Sequence, residues 1–496
     1  MEHMSEQFPR EPTVPDLANF TTLFHGGFIL SAVDVFNAHS SPVISRIEET
    51  FARHDIDGFA LCVHPDAAVT TFSREDRHAI AVGDIFDNHG GSVRDVLGDL
   101  LETRALPATL GRTDLGGRHA VILVEDGHFT VFNDPFGSRS VHYHLGEERA
   151  VSSHAVLLAE LLGAKRGEQV GPYMQSEDYS RQKVRYLPGN ITSWAKIRRL
   201  PPNHLFSSRF NATARYWPVE HWSESSEDVL FGHLDRAFDM LTTYLRGRYD
   251  PVLGITGGSD TRTVAAGFLA RKCTFTGVTW QNFNFVDRER KVVEKICATH
   301  DIDHVYAKLD KNDVALEALE VNAHYAGGEF LAKAPRARAM QDAFSKMAPA
   351  SLPKAFIIGY GGEIIRAFYA KKGRHHKAAL SAGEMSQLYR YTDFSKENAN
   401  FVRARFQDFR ETAHMDKKSL RGFPPHDIFY WEHRMGMWGA ATLDTFDPVM
   451  PALVGINSRK VFETALRLPE KRRLNKDLQM RYIAMQVPDL AAIPLI

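Results

Sequence analysis

The sequence predicts an α/β protein in two parts: a strand-rich amino-terminal region, then a parallel sheet wound with helices on both faces and extended by further helices. Three observations predict it. Between residues 24 and 163, short apolar runs are bounded by turn residues and include one clear hairpin. From residue 228 the period switches to helices alternating with short apolar strands, as in a parallel sheet covered on both faces. The first and last of those strands, at 251–255 and 355–358, each run into paired glycines and a carboxylate. Two such loops fall at the carboxyl edge of one sheet, where open α/β sheets bind ligands.

Bulk properties bound the functional classes. A chain of 496 residues is long enough for two or three domains with separate cores. With 60 Lys and Arg against 61 Asp and Glu, the net charge of −1 argues against a nucleic-acid partner. The three cysteines, Cys62, Cys273 and Cys297, are isolated, as suits a reducing cytoplasm. No apolar run approaches the roughly 18–20 residues of a membrane span. The opening MEHMSEQFPREP lacks the basic and apolar regions of a signal peptide. A cytoplasmic protein with no membrane partner is expected.

In chain order, the first twenty or so residues are polar with Pro9, Pro12 and Pro15, read as a poorly ordered arm or an extended edge. Cys62 lies within the apolar run 58–63 and reads as an inert core residue. Ala120-Val121-Ile122-Leu123-Val124, then Asp126-Gly127, then Phe129-Thr130-Val131-Phe132 is the hairpin. Asn133-Asp134-Pro135-Phe136-Gly137-Ser138-Arg139 makes a tight turn, followed by strands over 141–145 and 149–153 and a helix over 155–162. Rigid Pro and Gly turns in 186–192 and 197–204 suggest packing between domains. The acidic, serine-containing stretch 220–227 then marks a boundary, dividing the chain into 1–218 and 219–496.

The second part opens with a helix over 228–246 and reaches Val252-Leu253-Gly254-Ile255-Thr256-Gly257-Gly258-Ser259-Asp260-Thr261. A helix follows, with Val264, Ala265, Phe268 and Leu269 on one face. Glycines let the backbone approach a charged ligand, and the N–H groups and dipole of the next helix favour phosphate or pyrophosphate. Asp260 repels such an anion unless a cation lies between them, so magnesium belongs to the reading. The GxxxxGK[ST] phosphate loop is absent. Taken alone, the hexapeptide is equally an ordinary glycine turn capped by Ser259 or Asp260.

Strands over 273–279 and 304–308 and helices over 287–299 and 315–326 lead to the strand at 355–358. Its loop is Gly359-Tyr360-Gly361-Gly362-Glu363-Ile364-Ile365-Arg366. One carboxylate from each loop, Asp260 and Glu363, with phosphates completing the shell, suits magnesium; the alternative for Glu363 is a first-turn helix acid. Residues 371–496 read as largely helical, and 471–476 as a basic turn.

Thr256-Gly257-Gly258-Ser259-Asp260-Thr261 resembles the SGGxDS pyrophosphate loop of the asparagine synthetase superfamily, and GYGGE resembles its "GxGxDE" segment. DPFGSRSVHYH and AVSSHAVLLAELL resemble the "DRFGxRPLYY" and "FASE" segments of its amino-terminal glutaminase domain. Tyr430-Trp431-Glu432-His433-Arg434-Met435 is similar to its "DRxSMA" helix on the acceptor side of the cleft. The resemblance extends from about residue 116 to the end. It implies an Ntn-type αββα sandwich followed by a PP-loop domain. It also implies ATP and Mg2+ as cofactors and adenylation of a small-molecule or peptide carboxylate, with transfer to an amine.

Three departures shape the expectation. A class II glutaminase uses a first-residue cysteine as its nucleophile, whereas this sequence begins Met1-Glu2, so a scaffold without glutaminase activity is expected. Tyr360 stands where β-lactam synthetases place a tyrosine that, with a glutamate partner, deprotonates the attacking nitrogen; Glu432 is the matching glutamate. Lys476 matches the lysine that reaches the reacting phosphate, at a spacing to Arg481 one residue longer than the family's. The reading is an AMP-forming carbon–nitrogen ligase of the β-lactam synthetase or peptide-cyclase kind. Its rivals are an ammonia-fed asparagine synthetase and a non-catalytic scaffold, the latter favoured by Arg262 after the loop and by Glu363 in place of aspartate.

Overall fold

The computed structural model describes residues 22, 24–281, 286–309, 334–347, 349–369 and 378–496. The polar arm and the helix expected over 315–326 lie outside the described residues.

Side-chain alternation along the strands builds the amino-terminal half. One six-stranded antiparallel sheet runs Ile197–Arg199, His142–His144, Ala150–Ser152, Phe28–Ala32, Phe59–Val63, Ala52–Ile56. A second runs Ala212–Arg215, His204–Ser207, His128–Asn133, Leu115–Glu125, Arg77–Asp87, Val69–Arg74. Phe28, Leu30, Leu61 and Val63 of the first share an apolar layer with Ile80, Val82, Ile122 and Val124 of the second. On the other face of the first sheet, Ile29, Ala60 and Cys62 meet Ile44 and Ile47 of helix Pro42–Thr50 and Leu157 of helix Ala155–Leu162. The outer face of the second sheet, with Ala79, Ala81 and Val121, joins a cluster containing Leu97 of helix Val93–Glu102. Leu230 and Phe238 of helix Glu227–Leu245 belong to that same cluster, so the core continues into the carboxyl-terminal half. The expected hairpin is present: Asp126 and Gly127 have φ of 51° and 64°, as a two-residue type I′ turn needs.

The carboxyl-terminal sheet is parallel throughout, in the order His304–Lys308, Thr276–Gln281, Asp250–Gly254, Lys354–Ile358, Ala452–Val454. In chain order that is 3-2-1-4-5, so the winding reverses between Asp250–Gly254 and Lys354–Ile358. The last strand departs from the expectation that 371–496 is helical. Its three residues lie between Pro451 and Gly455, too few to show a period, and only pairing with Ile358 and its neighbours defines them as a strand. The second departure is a π-helix over Tyr430–Gly439 inside a longer helical run. Among the described residues, no helix is long and apolar enough to cross a membrane.

The two halves are also joined by buried charge. Arg118 donates from Nη2 to Asp444 at 2.7 Å and to Asp447 at 2.8 Å, and from Nε to the Ser138 carbonyl at 3.1 Å. Arg199 lies 3.8 Å from Asp444, and Arg139 lies 3.8 Å from Asp447. Asp134 organises the tight turn by accepting the Ser138 and Arg139 N–H groups, and the Arg139 guanidinium faces Asp447.

Candidate functional site

The two glycine loops meet where the winding of the parallel sheet reverses, the usual ligand position in such sheets. Their glycines are required by this approach. A Cβ on Gly362 would lie 2.5 Å from Asp260 Oδ1, and one on Gly359 would lie 3.1 Å from Thr261 Cα. Gly361, at φ 100°, turns the second loop into helix Gly362–Ile365. In the first loop, the Thr256 hydroxyl accepts the Gly258 N–H at 3.1 Å and pairs with the Thr261 hydroxyl at 2.8 Å. Helix Ser259–Ala270 then starts at Gly258 with no side-chain cap, leaving its first N–H groups available to an anion.

A cavity of about 180 Å3 opens between the loops. Thr256, Gly258, Asp260, Thr261, Tyr360 and Glu363 line it, with Trp280, Arg336, Thr442 and Phe446 closing the far side.

Its carboxylates are unequally partnered. Asp260 accepts from Arg366 Nη2 at 2.7 Å and from Gln479 Nε2 at 2.8 Å. Glu363 Oε2 is buried with no hydrogen-bond partner among the described residues. Burial, then the charge of Asp260, raises the Glu363 pKa against the pull of Arg366. A carboxylate oxygen left bare beside a second carboxylate fits a divalent cation held between Asp260 and Glu363. Such an ion would share Asp260 with Arg366.

Tyr360 stacks 6.0 Å from Phe136 of the amino-terminal tight turn and lies 5.7 Å from Trp438. Burial first, and Glu363 second, push its phenol above the ordinary range, while Thr442 bonds to it. The carboxylate acting on Tyr360 is therefore Glu363. The pairing of Tyr360 with Glu432 is corrected by the structure: Glu432 accepts from Arg215 Nη1 and Nη2, both at 2.6 Å, and from Asn203 at 3.0 Å. Glu432 is wholly buried in a salt bridge to the Ala212–Arg215 strand. The π-helix instead sends Trp438 toward the cleft, with Arg434 5.2 Å above the Trp438 ring.

Lys476 also departs from expectation. Its Nζ lies 3.2 Å from the Ile496 main-chain oxygen, and it is Gln479 in the following helix that reaches Ser259 at 2.7 Å and Asp260. Cys62 is fully buried and its thiol is pushed up to about 12, chiefly by burial, which makes it a poor nucleophile.

Sequence reasoning missed Gln479 and the roles of Trp280, Arg336 and Arg366. Arg366 directly follows the short helix Gly362–Ile365 and reaches back to Asp260 of the other loop, a pairing that local spacing does not reveal. Trp280 lies near the end of a strand in the sheet, at the ligand-binding edge. Nothing in the sequence distinguishes Gln479.

No family model matches the chain, and no curated protein matches it. Solved structures with some likeness include a glutamine phosphoribosylpyrophosphate amidotransferase from B. subtilis complexed with ADP and GMP. It shows 11% identity and a TM-score of 0.24, over 59% of this chain and 61% of that one. The glutamine-dependent NAD+ synthetase of Acinetobacter baumannii, in complex with ADP, matches 73% of this chain and 71% of its own, at 11% identity and a TM-score of 0.22. This chain thus spans about three fifths of the B. subtilis protein. At these TM-scores the likenesses carry no weight for fold or chemistry.

Proposed function

We propose that the chain is an ATP-dependent amide-forming ligase of the asparagine synthetase kind, with a scaffold region over 1–218 and the nucleotide region over 219–496. The observation that carries this is the bare, buried Glu363 oxygen facing Asp260 between two glycine loops. In this reading the ATP pyrophosphate lies against Thr256, Gly257, Gly258, Ser259, Asp260 and Thr261. A substrate carboxylate attacks the α-phosphorus, pyrophosphate leaves, and an amine then displaces AMP to give the amide.

Magnesium, when bound by Asp260 and Glu363, would neutralise charge building on the phosphates. Gln479 and Arg366 fix the orientation of Asp260. Trp280 and Phe446 offer apolar surface, and Arg336 a cation, on the far side of the cavity. Tyr360, beside Glu363, is placed to act on the attacking amine once a base takes its proton. Burial raises the Cys62 thiol, so region 1–218 is read as a scaffold and the amine as one taken from solution. A cytoplasmic setting fits the unpaired cysteines.

A second reading, a non-catalytic scaffold, is favoured by the Arg366 bridge on Asp260 and by the small cavity. ATP–pyrophosphate exchange, screened over carboxylic acids with magnesium, separates the two. Exchange that depends on one acid and is lost in Asp260→Asn supports the ligase. Wild-type exchange in Asp260→Asn would overturn the site assignment.

A further inference from the structure

A cavity of about 1380 Å3 shares no lining residue with the cleft. Its apolar lining includes Trp222, Phe423, Pro424, Leu466, Leu468 and Leu474. One wall is thus the turn 417–427 and the other the segment 466–474. Trp222 ties the two together. Its main-chain N–H donates to the Arg421 carbonyl and its indole N–H to the Leu466 carbonyl, both at 2.9 Å. The indole is held in place yet stays 36% exposed. Phe423 is backed by Trp217, with ring centroids 4.9 Å apart. The apolar surface is therefore pre-formed, as binding sites usually are.

Lys417, Lys418, Arg421 and Lys471 also line the cavity, all exposed, and none is in an ion pair among the described residues. The neighbouring acids are engaged elsewhere. Asp416 accepts the Lys418 N–H at 2.9 Å, the Ser419 N–H at 3.0 Å and the Ser419 hydroxyl at 2.6 Å. Of three consecutive basic residues, Arg473 takes Asp427 at 2.7 Å and Arg472 takes Glu227 at 3.3 Å. Lys471 is left facing the cavity, where Glu470 is the other carboxylate of the lining.

We propose that this cavity docks an acidic peptide segment of a partner protein. Its apolar side chains would pack on Trp222 and Phe423, and its carboxylates would meet the four cations. Size and charge both favour that occupant. The volume exceeds the roughly 300–1,000 Å3 of small-molecule sites. The cations stand on both walls, which suits several carboxylates along a chain better than one small anion. An exposed tryptophan on a fixed apolar surface is the usual anchor of such contacts. The wall 468–474 also leads into helix Asp477–Gln486, whose Gln479 bonds Ser259 and Asp260. A docked segment therefore borders the element that orients Asp260.

Panning a random peptide library on the 496-residue chain, without ATP, tests this site separately from the ligase reading. Fluorescence anisotropy of the enriched peptides then compares the wild type with Lys417→Glu/Lys418→Glu and with Trp222→Ala. Both lysines are exposed, so the charge-reversed protein should melt with the wild type. Peptides combining Asp or Glu with Leu or Phe should be enriched. Charge reversal should weaken them about tenfold or more. Added salt and Trp222→Ala should each weaken them too. Enrichment without acidic residues, no enrichment, or equal affinity for the charge-reversed protein overturns the proposal. Binding of phosphatidylserine vesicles in place of peptides overturns it as well, since the partner would then be an anionic surface.

Discussion

Two clusters of buried charge show opposite designs. At the junction of the halves, Arg118 faces Asp444 and Asp447, with Arg139 and Arg199 behind, so every carboxylate has a guanidinium. In the cleft, Asp260 has Arg366, but Glu363 keeps a buried oxygen with no partner among the described residues. Removing charges from water is costly unless they are paired, so the first cluster is complete without a ligand and the second is not. Thr442 and Phe446, which line the cavity, sit on either side of Asp444. The amino-terminal half therefore braces one wall of the cleft, a purpose it serves with or without glutaminase chemistry.

The sharpest break in this comparison is Arg118→Met. It strands Asp444 and Asp447 in a dry interior and should cost about 3–5 kcal/mol, seen as a large drop in chemical-denaturation midpoint. A change within about 0.5 kcal/mol, the range of a typical surface substitution, would mean the cluster is not a brace.

A matched pair of substitutions comes next. Glu432→Gln leaves Arg215 without its carboxylate and should destabilise the protein by about 3 kcal/mol. Glu363→Gln should do the reverse in the apo protein. The raised pKa of Glu363 means the folded state favours its protonated form. Below the ordinary carboxylate range, near pH 4, both proteins carry a neutral group there and should melt alike. As pH rises above the ordinary carboxylate range, the unfolded chain ionises there while the folded carboxyl keeps its proton up to about 8, so the wild type loses stability across that window and the variant should lead by at least about 1 kcal/mol at pH 8. Thermal melts at pH 4 and pH 8 check the sign; equal melting temperatures at both pH values would remove Glu363 from the unpaired class.

The smallest stability effect belongs to Tyr360→Phe, which keeps the ring stacked on Phe136 and loses only the bond to Thr442, about 1 kcal/mol or less. With a substrate in hand it should retain ATP–pyrophosphate exchange and lose amide product. Loss of both would move Tyr360 from the acceptor to the nucleotide.

What the sequence made legible follows from range. Helix Ala155–Leu162 and strand His304–Lys308 fall at the expected residues, because their apolar runs are dense and sharply bounded. Both glycine loops were readable because close backbone approach leaves no choice of residue type. Glu432 was misread because its partner, Arg215, lies 217 residues away, and nothing local tells a structural buried glutamate from a reactive one. Lys476 failed for a similar reason: the helix it precedes turns Gln479 toward Asp260 and leaves the lysine to the tail. Strand Ala452–Val454 was invisible because three residues have no period.

The central claim is that Asp260 and Glu363 together make the cleft a magnesium-dependent nucleotide site. Calorimetric titration of ATP into the wild-type chain and into Asp260→Asn and Glu363→Gln, each with and without magnesium, tests it most directly. Binding by the wild-type protein that needs magnesium, and that weakens at least tenfold in both variants (about 1.4 kcal/mol), is the expected result. Binding that survives both substitutions, or that ignores magnesium, would contradict it.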